Sequence, residues 1–207
     1  MEHVTETNAL EVRWFGSGTP PPALDEWLAR WGTTDTATRT DLYVAPPVPS
    51  SNLKLRGGGD AIELKRRLGP PERRAFGPDV IGSVEQWYKW RFPLARAPPT
   101  STGDATGLWT PVTKTRTLRT FDDWPGDALA HVEVSELTAP ATAWTCCLEV
   151  SGPPAETAAA FDTLADDLFG DDFPVALAAD RSFGYAEWLR RVAETEPTAD
   201  VLVPSQR

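Results

Sequence analysis

Each of the four lysines in the chain stands two residues before an arginine: Lys54 and Arg56, Lys65 and Arg67, Lys89 and Arg91, Lys114 and Arg116. The neighbouring residues are of strand type, and in a strand the side chains i and i+2 point to one face, so each pair sets two cations side by side. Arg13 adds a further cation on a segment that alternates Leu10, Val12 and Trp14 against Glu11 and Arg13. Gathering like charge on one surface is costly unless carboxylates or a bound anion offset it. Carboxylates recur in phase, Glu63 two residues before Lys65 and Glu85 four before Lys89. The chemistry that suits such a face is recognition of a polyanion, with guanidinium forks gripping phosphate oxygens in pairs and ammonium groups acting as point charges.

The balance of the whole chain runs the other way. A formal net charge of -10 over 207 residues opposes a nucleic-acid duplex or an anionic membrane as the main partner, since both require a basic exterior. Fields are screened over about 8 Å at physiological ionic strength, so an acidic exterior coexists with a positive cleft. The length predicts one domain spanning residues 1–207, with a loose tail after Thr195. No apolar run approaches the roughly 18 residues of a membrane span, and Met1 to Leu10 lacks the order of a signal peptide, which together predict a cytoplasmic protein. Adjacent Cys146 and Cys147 point to opposite faces of a strand and read as reduced, packed thiols. His3 and His131 belong to no metal or triad spacing, and Arg66, Arg67, Arg73 and Arg74 read as a solvated charge run.

The elements that must position the charges follow from periodicity. Period-two alternation predicts strands at Ala9 to Phe15, Thr40 to Val44, a hairpin about Gly57-Gly58-Gly59-Asp60, Ser83 to Phe92, Val112 to Phe121, Ala130 to Leu137 and Ala143 to Val150. Helical spacing predicts helices through Leu24, Trp27, Leu28 and Trp31, from Ala155 to Phe169, and from Tyr185 to Ala193. Gly69 to Pro78 reads as a polar loop, and Pro93 to Gly107 as a long loop of the kind that carries function. About eight mostly antiparallel strands and three helices give an α+β fold. Strands apolar on one face and charged on the other fit either an open sheet with a solvated charged side or a closed barrel with a polar lumen.

The order of the charged strands resembles the CYTH superfamily, the triphosphate tunnel metalloenzymes. The resemblance rests on Glu11-x-Arg13, Thr40-Asp41-Leu42-Tyr43, Leu53-Lys54-Leu55-Arg56, Ile62-Glu63-Leu64-Lys65, Glu85, Val112-x-Lys114-x-Arg116, Glu149-x-Ser151 and Ser182-Phe183-Gly184-Tyr185. It implies a closed eight-stranded β-tunnel whose basic residues grip a triphosphate and whose carboxylates hold Mg²⁺ or Mn²⁺. The substrate-binding set would be Arg13, Lys54, Arg56, Lys65, Arg91, Lys114 and Arg116. Glu11, Glu149 and Glu63 would serve catalysis, with Glu11, Glu149 and Glu133 on the metal. Related tunnels are monomers or dimers. The family's first-strand signature, Glu-x-Glu-x-Lys, falls on Ala9-Leu10-Glu11-Val12-Arg13, and its last-strand Glu-x-Glu on Glu149-Val150-Ser151, so two carboxylates of the pattern are missing. The expectation is a triphosphate-binding protein that hydrolyses its ligand with a divalent metal, or a non-catalytic barrel that kept the cations and lost part of the metal site.

Overall fold

The computed structural model describes residues 3–57, 59–95, 108–121 and 126–195. Residues 96–107, most of the stretch expected as a long loop, and those after Thr195, expected as a loose tail, lie outside them. The chain runs β1 (Thr5–Ser17), α1 (Pro22–Ala29), β2 (Asp35–Val44), β3 (Ser51–Leu55), β4 (Ala61–Arg67), β5 (Glu72–Gly77), β6 (Val80–Pro93), β7 (Trp109–Phe121), β8 (Leu129–Ala139), β9 (Ala143–Ser151), α2 (Pro154–Phe169) and α3 (Tyr185–Thr195). Antiparallel pairings follow the order β1-β9-β8-β7-β2-β3-β4-β6, and β6 pairs again with β1 from Thr5↔Arg91 to Val12↔Val84. Eight strands thus hydrogen-bond in a ring.

The ninth strand, β5, corrects the expectation of a polar loop over Gly69 to Pro78. It pairs with β6 from Glu72↔Val84 to Gly77↔Val80, continuing along β6 beyond the point where β4 leaves it at Arg67↔Trp87. Phe76 is its one large apolar residue, and Glu72 and Arg73 are exposed. Pairing of the backbone, with no alternation of side chains, makes this strand.

Ring strands send alternate residues to opposite sides. Val12, Trp14, Val132, Leu148 and Val150 face outward and pack with Leu24 and Leu28 of α1 and with Phe161, Leu164, Leu168 and Phe169 of α2. Each such side chain taken from water contributes about 1.5–3 kcal/mol, which fixes the register: a slip by one residue would turn the charged set into this core. Trp14 is fully buried, donates from Nε1 to the Ile81 carbonyl at 2.9 Å, and meets Phe76 and Phe169 edge-on. Gly82 allows that approach, because a Cβ there would stand 2.5 Å from Trp14 Cζ2 and 2.6 Å from Val12 Cγ2. Gly82→Ala is expected to cost about 1–3 kcal/mol through overpacking, seen as a lower urea midpoint; an unchanged midpoint would show that Trp14 moves aside freely.

A second core lies at one end of the ring, where Tyr185, Trp188 and Leu189 of α3 pack with Phe15, Tyr43, Val112 and Leu137. Phe15 stacks on both Phe183 and Trp188, and the Phe183 amide donates to the Arg13 carbonyl at 3.0 Å. These contacts pin the start of α3 against β1. No helix among the described residues is long and apolar enough to cross a membrane.

Candidate functional site

The inward side of the ring surrounds a cavity of about 200 Å³. Period-two geometry brings the charged residues there: Glu11 and Arg13 from β1, Lys54 and Arg56 from β3 and the turn after it, Glu63 and Lys65 from β4, Lys114 and Arg116 from β7, Glu133 from β8 and Glu149 from β9. Gly184, Tyr185 and Ala186 at the start of α3 also line it. Of the sequence-predicted site residues only Arg91 is absent from this wall. Its guanidinium reaches Asp60 at 3.0 Å and Glu63 at 3.6 Å, and its side chain is one third exposed. It shares the inward face of β6, but strand parity sets the face and not the depth along the ring.

Also in the wall are Lys89 and Tyr185, which belong to the charged pairs and to the closing motif but not to the expected ligand set, His131, read as incidental, and Arg39 and Asn52, which the sequence leaves without a role. His131 lies opposite Glu149 across the β8–β9 pair, and alternation from Glu133 was the signal for it. Arg67 is not solvated as expected, since its Nη1 donates to Glu85 at 2.6 Å. Arg74 does lie at the surface, against Asp162 and Asp166 of α2. The thiols divide as expected, Cys146 to the helical core and Cys147 to the cavity wall.

Eight side chains of cationic type and four carboxylates line the cavity, a formal surplus of four positive charges with every group ionised, inside a chain of net charge -10. Arg13 ties two carboxylates together, donating from Nε to Glu11 at 2.9 Å and from Nη1 to Glu133 at 2.5 Å. Lys65 Nζ donates to Glu11 at 2.9 Å and to Glu149 at 2.8 Å. Lys54 lies 3.2 Å from Glu63, which Arg56 also approaches at 3.5 Å. Burial pushes the Glu63, Glu133 and Glu149 carboxyl groups up, but the cations outweigh it. Glu63 is held down at about 2 by Lys54, Arg56 and Lys89, and Glu133 falls well below the usual carboxylate range beside Lys114, Arg13 and Arg116. Glu149 likewise falls beside Lys65 and Lys89. Burial pulls Lys65 down, yet Glu11 and Glu149 carry it above the ordinary lysine value. Lys54 is the exception: burial, with Arg56 and Lys114 close by, brings it to about 7 in spite of Glu63 and Asp41.

Lys114 has the fewest carboxylate contacts for its depth. It is 3 % exposed, its Nζ is 4.0 Å from Glu133, and its hydrogen bond runs to the Tyr185 hydroxyl at 3.2 Å. Both Lys114 and Arg13 lie over the Tyr185 ring, at 4.7 and 4.8 Å from its centroid.

A resident divalent cation does not fit this donor set. Glu11 and Glu149 face one another across β1 and β9, but the Lys65 ammonium is bonded to both, and Glu133 is taken by Arg13. Among the described residues no three His, Cys, Asp or Glu side chains are grouped so as to hold an ion.

No family model and no curated protein matches the chain. Among solved structures it is similar to the PH1819 protein of Pyrococcus horikoshii, with 13% sequence identity and a TM-score of 0.52 over 90% of this chain and 99% of that one. At that identity the likeness shows the fold: an α+β chain, mostly antiparallel sheet, with its strands in a ring and three helices.

Proposed function

We propose that the protein binds a small polyanion of the triphosphate class inside the strand ring, and that the ring acts as a closed tunnel around it. The observation that carries this is the surplus of four positive charges in the cavity of a strongly acidic chain. Charge of one sign held in a walled cleft draws in the opposite sign; Asp41, buried behind the wall 3.2 Å from Arg39 and 4.0 Å from Arg56, offsets one of the four cations and leaves the cleft positive. The volume of about 200 Å³ is below that of drug-sized pockets, which suits a condensed phosphate rather than a larger ligand enclosed whole. The similarity of the charged-strand order to the CYTH superfamily supports the same ligand. Binding is favoured over metal-dependent hydrolysis, because each wall carboxylate already serves a cation and none is free to orient a water.

The test is thermal stabilisation by tripolyphosphate, with sulfate at equal ionic strength as control. Stabilisation by tripolyphosphate alone is expected. Lys114→Ala should weaken binding about tenfold to hundredfold, the worth of one charge-assisted hydrogen bond. No stabilisation at millimolar ligand would sink the proposal, and phosphate released above background with Mg²⁺ or Mn²⁺ would replace binding by hydrolysis.

A further inference from the structure

We propose that Lys65 is a built-in counter-cation, occupying with its ammonium the point between Glu11 and Glu149 where a divalent ion would otherwise sit, so that the polyanion enters this cavity without metal. The inference rests on the proposed polyanion binding for its ligand, but not for its geometry. Lys65 Nζ is 2.9 Å from Glu11 Oε2 and 2.8 Å from Glu149 Oε2, and its side chain is 12% exposed. An ammonium has three donors; two are spent on these carboxylates and the third remains for a ligand oxygen. Lys89 stands 3.7 Å from the other oxygen of Glu149, and Arg13 holds the other oxygen of Glu11 at 2.9 Å. Two carboxylates are thus faced by three cations before any ligand arrives.

The sign of this local charge decides the matter. Mg²⁺ and Mn²⁺ take one or two carboxylates together with substrate phosphates and give up water reluctantly. Here such an ion would have to displace an ammonium from two charge-assisted hydrogen bonds and enter against a positive surplus. An anion meets the opposite field. Lys65 therefore neutralises the acidic pair and presents a cation to the ligand, two tasks that a bridging metal ion would perform.

The experiment follows Mn²⁺ binding to the ligand-free protein by loss of the free-ion electron paramagnetic resonance signal, in wild type, Lys65→Met and Lys65→Arg. Removal of the ammonium unmasks the Glu11 and Glu149 pair, so Lys65→Met is expected to bind Mn²⁺ at least roughly tenfold more tightly than wild type. Lys65→Arg, which keeps a cation between the carboxylates, is expected to resemble wild type. Equal Mn²⁺ affinity in wild type and Lys65→Met overturns the proposal. If Lys65→Met does not fold, wild type decides: tight Mn²⁺ binding by the free protein overturns the proposal and its absence supports it. Tripolyphosphate stabilisation should be as large in EDTA as in Mn²⁺, and a requirement for the ion overturns the proposal. Failure of tripolyphosphate to bind under both conditions removes the polyanion function, while the Mn²⁺ titration still judges Lys65.

Discussion

Arg13→Met is expected to lower the melting temperature by roughly 10 °C, from a loss of about 3–5 kcal/mol when one partner of a buried ion pair is removed. Methionine keeps most of the unbranched stem and its packing, so the loss isolates the charge. Arg13 is 6 % exposed, bonds Glu11 and Glu133, donates to Thr145 Oγ1 at 3.1 Å and lies on the Tyr185 ring. Without it Glu11 retains Lys65 at 2.9 Å, but Glu133 is left with Arg116 at 3.9 Å and Lys114 at 4.0 Å. Most of the penalty therefore falls on Glu133, and Glu133→Gln added to Arg13→Met should restore part of the lost stability. The pH dependence has a defined sign. Cations hold the folded Glu133 below its ordinary value, so its contribution is present above about pH 4.5 and lost as pH falls. The gap between wild type and Arg13→Met should narrow on going from pH 7 to pH 4. A fall of less than about 2 °C at pH 7, a scale set by less than one kcal/mol in a domain of this size, would mean that the guanidinium is not central to the wall.

Much of this site is legible from alternation alone. Leu10, Val12 and Trp14 against Glu11 and Arg13 announces which side of β1 is core, and the i, i+2 spacing of each lysine with its arginine carries the same assignment to the other strands. Where alternation is absent, the sequence is silent. Arg39 sits in the Thr-rich first half of β2, a stretch whose outward partners are Thr36, Thr38 and Thr40, hydrogen-bonded in turn to Thr117, Thr115 and Thr113. It has no apolar rhythm, and the expected strand began only at Thr40. β5 escapes for the same reason. Tyr185 lines the cavity through the placing of α3 over the ring's end, a tertiary fact with no local signal. The partner of each charge is equally hidden. Parity places Glu11, Glu149 and Lys65 on one inner face, but only the register Glu11↔Glu149, with the Lys65 side chain of β4 reaching them past the intervening β6, sets an ammonium between the carboxylates.

Binding of the polyanion should draw in a proton near neutral pH, and Lys54 is the group that takes it. Its side chain faces Glu63 at 3.2 Å and the Tyr43 ring at 5.6 Å, with Arg56, Asp41 and Lys114 as the remaining charged neighbours. Burial, reinforced by Arg56 and Lys114, lowers it to about 7, so the free protein carries Lys54 partly neutral. A phosphate chain placed in the cavity adds negative charge and favours the ammonium again. Calorimetry at pH 7 in buffers of different ionisation enthalpy should report uptake of about half a proton beyond that of Lys54→Met with the same ligand, a comparison that cancels the titration of tripolyphosphate itself. Binding should accordingly weaken from pH 6 to pH 8.5 more steeply in wild type than in Lys54→Met. Stability of the free protein has the opposite slope. Folded Lys54 loses its proton near pH 7 and the unfolded lysine near about 10.4, so between these values the unfolded chain holds more protons and the fold gains stability as pH rises. Equal proton uptake in wild type and Lys54→Met would place Lys54 outside the ligand's field, and with it the β3 side of the cavity.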